Sequence, residues 1–178
     1  MDFIRIGEKL VSRERIIHMI DKILEKRMAG ASQQEAANDL GVDRSFVSRL
    51  ETLGEIRKGG KICLIGFPVS NKPELEAVAD EYGVDYCLLM TDKERWQLAN
   101  ESTGTDLINE LMRLMALIRS YETVVFIGSN MRINLAEALT DRQLISINIG
   151  ESPIQGDRYV DPEMLRRILQ GLRGLSDH

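Results

Sequence analysis

Four short apolar runs follow one another beyond residue 60: KICLIGF (61–67), DYCLLMT (85–91), TVVFIGS (123–129) and LISINIG (144–150). Each is apolar nearly throughout, not at alternate positions only. Such runs expect burial on both faces, the mark of strands in a parallel sheet covered by helices. The segments between them carry helix patterns at about 73–82, 93–99, 104–120 and 131–140, and a last helix follows Asp161-Pro162 to about Leu172. Right-handed crossovers then give a small doubly wound parallel-sheet domain, Rossmann- or flavodoxin-like, over 61–178. Numbering the four runs in chain order, the expected strand order is 2-1-3-4.

The first sixty residues have a different texture and read as all-helical. Ser12 is placed to cap a helix over Arg13–Met28 with Ile16, Ile17, Ile20, Ile23 and Leu24 at helical spacing, stopped by Ala29-Gly30. Ser32 with Glu35 three residues on is a capping box. Gly41 ends that second helix, and Asp43 caps a third running to about Thr52. An all-α domain over 1–58 is therefore expected, joined by the basic, glycine-containing RKGGK at 57–61. That joint also has the form of a wing hairpin turning at Gly59-Gly60, although LIGFP followed by a helix reads better as the first strand–helix step of the second domain.

The stretch SQQEAANDLGVDRSFVSRLE (32–51) meets specific physical demands of two crossing helices. Ala37 is small where they touch, Gly41 tolerates the positive φ of the turn, and Val42, Val47 and Leu50 lock the second helix to the body. At these residues the chain resembles the helix-turn-helix of the Cro/repressor-type (Xre-like) transcriptional regulators, closely over about twenty residues and loosely over some forty more. The resemblance implies that residues 44–52 form a recognition helix lying in the major groove of double-stranded DNA. In side-chain terms Arg44 and Arg49 offer forks to guanine or phosphate, while Ser45 and Ser48 let the backbone approach. Gln33 and Gln34 open the preceding helix, where free N–H groups hold a phosphate. Arg57, Lys58 and Lys61 add further cations. Phe46 either packs under the first helix or touches a thymine methyl; packing is the expectation. A helical hairpin that merely packs has no need of this polar face. Five-helix repressor domains continue with more helices, whereas LGEIRKGGKICLIG follows here.

The net charge of −5 is unevenly placed: residues 1–60 carry 11 Lys and Arg against 10 Asp and Glu, and residues 61–178 carry 12 against 18. The acidic half is expected to face away from phosphates. Cys63 and Cys87 lie inside apolar runs and read as small core residues, and His18 and His178 are far apart, so no metal site is expected. No GxGxxG or GxxxxGK[ST] occurs, and no nucleotide cofactor is expected. No apolar run is long enough to span a bilayer, and the charged start lacks a signal-peptide core, so a cytoplasmic, membrane-free protein is expected.

In doubly wound sheets ligands bind beyond the strand carboxyl ends. Those ends are Gly66-Phe67-Pro68, Thr91-Asp92, Gly128-Ser129-Asn130 and Gly150-Glu151-Ser152. GSNMR is the best candidate for a small anionic effector: Gly128 ends a strand, Ser129 or Asn130 caps the next helix, and Arg132 lies in its first turn. An ordinary strand-to-helix turn has the same letters. No Ser/His/Asp set is present, and Asp92 and Glu151 read as solvated loop acids, so catalysis is not expected. The helix at 104–120 has a broad apolar face that either packs on its own sheet or is shared with a second subunit. The chain thus reads as a DNA-binding transcriptional regulator, a homodimer whose α/β domain dimerises, senses a small effector, or both. The alternatives are a helix-turn-helix adaptor that docks a protein partner and an enzyme with a DNA anchor.

Overall fold

The computed structural model describes residues 3–56 and 58–174; Arg57 and His178, both singled out above, lie outside the described residues. The chain divides into two compact units, 1–55 and 56–178.

The first unit does not begin with a helix. It opens with an antiparallel hairpin, β1 (Phe3–Ile6) and β2 (Lys9–Ser12), in which Ile6 lies opposite Lys9. Gly7 takes φ +60 in the two-residue turn. This corrects the all-α expectation. The strands are four residues long, and β1 is exposed along its whole length, so neither face imprints a burial pattern on the sequence. Three helices follow: α1 (Arg13–Met28), α2 (Gln33–Leu40) and α3 (Arg44–Gly54). The Ser12 hydroxyl accepts from the Arg15 N–H at the start of α1. At α2, Ser32 and Glu35 cap each other's backbone N–H groups. Gly41 closes α2 in the left-handed region at φ +65. Asp43 occupies the N-cap of α3, but its side chain makes no capping bond. The core of this unit is Ile23, Ala37 and Val47, fringed by Met19, Leu40, Val42 and Leu50.

The second unit is a mixed α/β structure of the flavodoxin-like type. Its sheet is β3 (Ile62–Gly66), β4 (Tyr86–Leu89), β5 (Thr123–Gly128) and β6 (Gln143–Asn148), all parallel, in the order β4-β3-β5-β6. That is the order 2-1-3-4. The helices are α4 (Lys72–Glu81), α5 (Asp92–Glu101), α6 (Gly104–Ile118), α7 (Asn130–Leu139) and α8 (Pro162–Arg173). Every residue of the inner strands β3 and β5 is buried. On one face Ile62, Leu64, Val125 and Ile127 meet Leu75, Val78 and Ala79 of α4 and Leu165, Leu169 and Leu172 of α8. On the other face Cys63, Ile65 and Phe126 meet Ile133 of α7, with Leu114 and Ile118 of α6 partly buried beside them. Cys87 departs from the core expectation: it is exposed, because β4 is an edge strand.

The 58–61 joint does not turn as a wing. Gly59 donates its N–H to the Leu172 carbonyl at 2.7 Å, Arg173 Nη1 donates to the Gly60 carbonyl at 3.0 Å, and Lys61 N–H reaches Glu122 at 2.6 Å. Close packing explains Gly66 at the end of β3: a Cβ there would stand 2.8 Å from Leu89 Cδ2 and 3.0 Å from Ile127 Cβ.

Asn71 closes the fold over a long stretch of chain. Its side chain donates to the Val160 carbonyl at 2.8 Å and accepts from the Val160 N–H at 3.1 Å, a pairing that imitates a strand ladder and brings the segment before α8 onto the sheet. Asn71 and Val160 are both buried, so an Asn71→Ala variant leaves two backbone groups dry and unpaired. The expected cost is about 1–3 kcal/mol, seen as a lower urea midpoint at unchanged m-value. An unshifted midpoint would show that water substitutes freely.

Candidate functional site

Two places in the molecule gather polar groups that the folding of their own unit does not consume. The first is the outer face of α3. Val47 is fully buried and Leu50 half-buried, which turns Arg44, Ser45 and Arg49 outward; Ser48 is half-buried beside them. No ion pair engages Arg44 or Arg49 among the described residues. Two other cations of the unit are committed: Lys26 pairs with Asp39 at 2.7 Å and Arg27 with Glu51 at 2.5 Å. Phe46 is 43% exposed, beside Leu10, Ile16 and Met19 in a shallow groove, so it is less deeply packed than expected.

Glu51 sets the attitude of α3. It accepts from Arg27 of α1 and, through its other oxygen, from the Gln33 amide of α2 at 2.7 Å. One carboxylate therefore ties all three helices. Gln33 spends its side-chain amide here, and Gln34 donates to Asn38 at 2.8 Å, while Lys58 falls in the second unit. The Arg27 bond, then the Gln33 bond, hold the Glu51 carboxyl below the usual glutamate range. A carboxyl whose folded pKa is depressed stabilises the fold fully above its unfolded value, about 4.3, and loses that contribution as pH falls through the lowered folded value. Glu51→Gln should therefore melt lower at neutral pH and show a shallower loss of melting temperature on acidification. An acid limb as steep as that of the parent would rule out this role.

The second place is the carboxyl edge of the sheet, where the strand order reverses between the parallel neighbours β3 and β5. Gly128, Ser129, Asn130 and Arg132 all lie here, but three of the four are engaged by the 149–153 loop. Ser129 is fully buried and shares a hydrogen bond with the Ser152 hydroxyl at 2.7 Å. Asn130 accepts from the Met131 and Ser152 N–H groups at 2.7 and 3.0 Å. The Gly128 carbonyl accepts from the Ile149 N–H at 3.0 Å. Ser129 stands at the N-cap of α7 yet makes no capping bond.

Arg132 is the member left over. Its Nη1 is buried without a hydrogen-bond partner among the described residues, and its guanidinium sits over the Phe67 ring, 5.1 Å from the centroid. Burial, and then the neighbouring Arg95 charge, hold its pKa below the usual arginine value. Arg132 lines two cavities. One, of about 560 Å³, is framed by Asp92, Arg95, Trp96 and the 153–155 segment. The other, of about 260 Å³, lies between α6, α7 and the sheet. Arg95 and Trp96 were missed in the sequence, where 93–99 reads as a plain connecting helix. A usable signal was present: Arg95 stands three residues after the strand-end Asp92, a spacing that sets opposite charges on one helix face, and the structure pairs them at 2.5 Å.

Among the described residues no helix is long and apolar enough to cross a membrane. No family model and no curated protein matches the chain. Among solved structures, that of the PhyR stress response regulator is similar at 20% identity over 90% of this chain and 65% of that one, with a TM-score of 0.23. The chain thus spans a little under two thirds of that structure, and a superposition this loose carries no argument about function.

Proposed function

We propose that the chain is a sequence-specific DNA-binding transcriptional regulator of the Cro/repressor helix-turn-helix type, acting as a homodimer, with an α/β unit that senses a small effector. The reading rests on one observation: two exposed guanidinium groups, without ion-pair partners among the described residues, on the outer face of the second helix of a capped, tightly turned pair. Arg44 and Arg49 read base edges, and Ser45 and Ser48 allow the approach of α3 to the groove. The reading assigns no catalytic step, cofactor or metal to the chain.

A set of double-stranded oligonucleotides selected by the full chain tests this. On a selected site, Arg44→Ala and Arg49→Ala should each cost about 1–3 kcal/mol of binding, measured by fluorescence anisotropy at fixed salt. Undiminished affinity in the double variant would remove the assignment.

A single recognition helix covers too few base pairs for useful discrimination, and a two-fold pair reads two half-sites about one helical turn apart. The first unit supplies a surface for such pairing. Phe3, Ile4, Ile6 and Leu10 of the hairpin and Ile16 and Ile17 of α1 are all exposed, and a lone two-stranded hairpin is marginal without cover. Sedimentation at micromolar concentration should show a dimer that Ile4→Glu with Ile17→Glu dissociates. Dissociation by Leu111→Glu with Met112→Glu instead would move the interface to α6, and a monomeric parent would end the proposal. The adaptor reading draws support from that same α6 stripe, where Ile108, Leu111 and Met112 are 62%, 55% and 65% exposed.

A further inference from the structure

The second unit covers its sheet unequally. The α4/α8 face is filled by fully buried side chains from both helices. On the opposite face α6 contributes no fully buried residue, although it carries Leu107, Leu111, Leu114, Met115 and Ile118 toward the sheet side or its rim. What lies beneath α6 is the cavity of about 260 Å³, just under the usual range of roughly 300–1,000 Å³ for small-molecule sites. Its walls are apolar side chains from β3, β5, β6, α6 and α7, among them Ile65, Phe126, Leu114, Met115 and Leu135. The charged residue in the wall is Arg132.

A buried guanidinium nitrogen without a partner is costly, and charge-assisted bonds to a carboxylate are the strong way to satisfy it. We infer that this cavity binds a small apolar monocarboxylic acid, with its hydrocarbon body between α6, α7 and the sheet and its carboxylate on the Arg132 guanidinium that lines it. The inference rests on the effector-sensing part of the proposed function and names the class of effector. Charge complementarity selects the acid over a neutral hydrocarbon. The location selects the apolar cavity over the larger one, because in the latter Arg95 is already paired with Asp92 and lies over the Trp96 ring, 5.5 Å from its centroid. Phe67 lies over one face of the Arg132 guanidinium, whose buried Nη1 has no hydrogen-bond partner among the described residues.

The test uses the full chain in the absence of DNA, so that failure of the DNA-binding reading and failure of this one are seen separately. The probes are octanoate, 1-octanol as its uncharged counterpart, and acetate as a head group without a tail, followed by calorimetric titration and thermal melting. Octanoate should bind at one site per chain and raise the melting temperature by mass action, and octanol and acetate should bind at least about tenfold more weakly. Arg132→Met, which keeps an apolar stem, should weaken octanoate about tenfold or more while leaving octanol unchanged. Ala136→Leu, which fills the cavity wall on α7, should block octanoate with Arg132 intact. Equal binding of octanol and octanoate, or octanoate binding undiminished in Arg132→Met, would overturn the inference. So would octanoate binding that survives Ala136→Leu, and so would dissociation or association of subunits as the only response to octanoate.

Discussion

The inner strands β3 and β5 have no side that water reaches, and the rest of the second unit follows from that. A parallel pair buried on both faces must be covered twice, so the chain has to cross from one face to the other between strands. The crossing leaves α4 and α8 on one side and α6 and α7 on the other. It also places the reversal of winding at β3/β5, and therefore puts Phe67 and Arg132 side by side at the carboxyl edge. The small residue at the end of β3 has the same origin: the buried Leu89 and Ile127 side chains of the flanking strands leave no room for a Cβ at Gly66. The cost of ordering so much chain is offset mainly by apolar burial, and most of that burial lies on the α4/α8 face.

The first unit depends on a different device. Its core is only a few side chains wide, so the directions of its helices are held by polar ties as well as by packing. Glu51 joins three helices that are adjacent in sequence but joined by short turns of their own, and the Ser32/Glu35 capping box and the left-handed Gly41 set where α2 starts and stops. The outward face of α3 is thereby a consequence of what its inward face is tied to.

The sheet was legible because its inner strands are apolar on both faces, a pattern that survives in sequence without knowledge of partners. Helix ends were legible for the same local reason: Ser32, Glu35 and Gly41 act on atoms three or four residues away. The hairpin was not, since Phe3–Ser12 buries neither face fully and its alternation breaks at Leu10-Val11. Cys87 was misread because DYCLLMT is as apolar as the inner strands, and only the strand order shows that it lies at an edge. At the candidate effector site Arg132 could be found from GSNMR, but the engagement of Ser129 and Asn130 could not. Their partners in the 149–153 loop come from some twenty residues further along the chain.

The unequal cover of the sheet also sorts the molecule in time. Opening a helix that shields many buried side chains exposes them all at once, whereas opening one that rests on a cavity exposes little that was not already loosely held. The ladder of opening free energies therefore has α8, with Leu165, Leu169 and Leu172 fully buried, on its upper rungs and α6 near the bottom. Excursions of α6 leave the α4/α8 layer, and with it the registration of the four strands, undisturbed. The cavity beneath α6 is thus expected to open to solvent more often than the fold itself turns over, with no hinge or dedicated flap required.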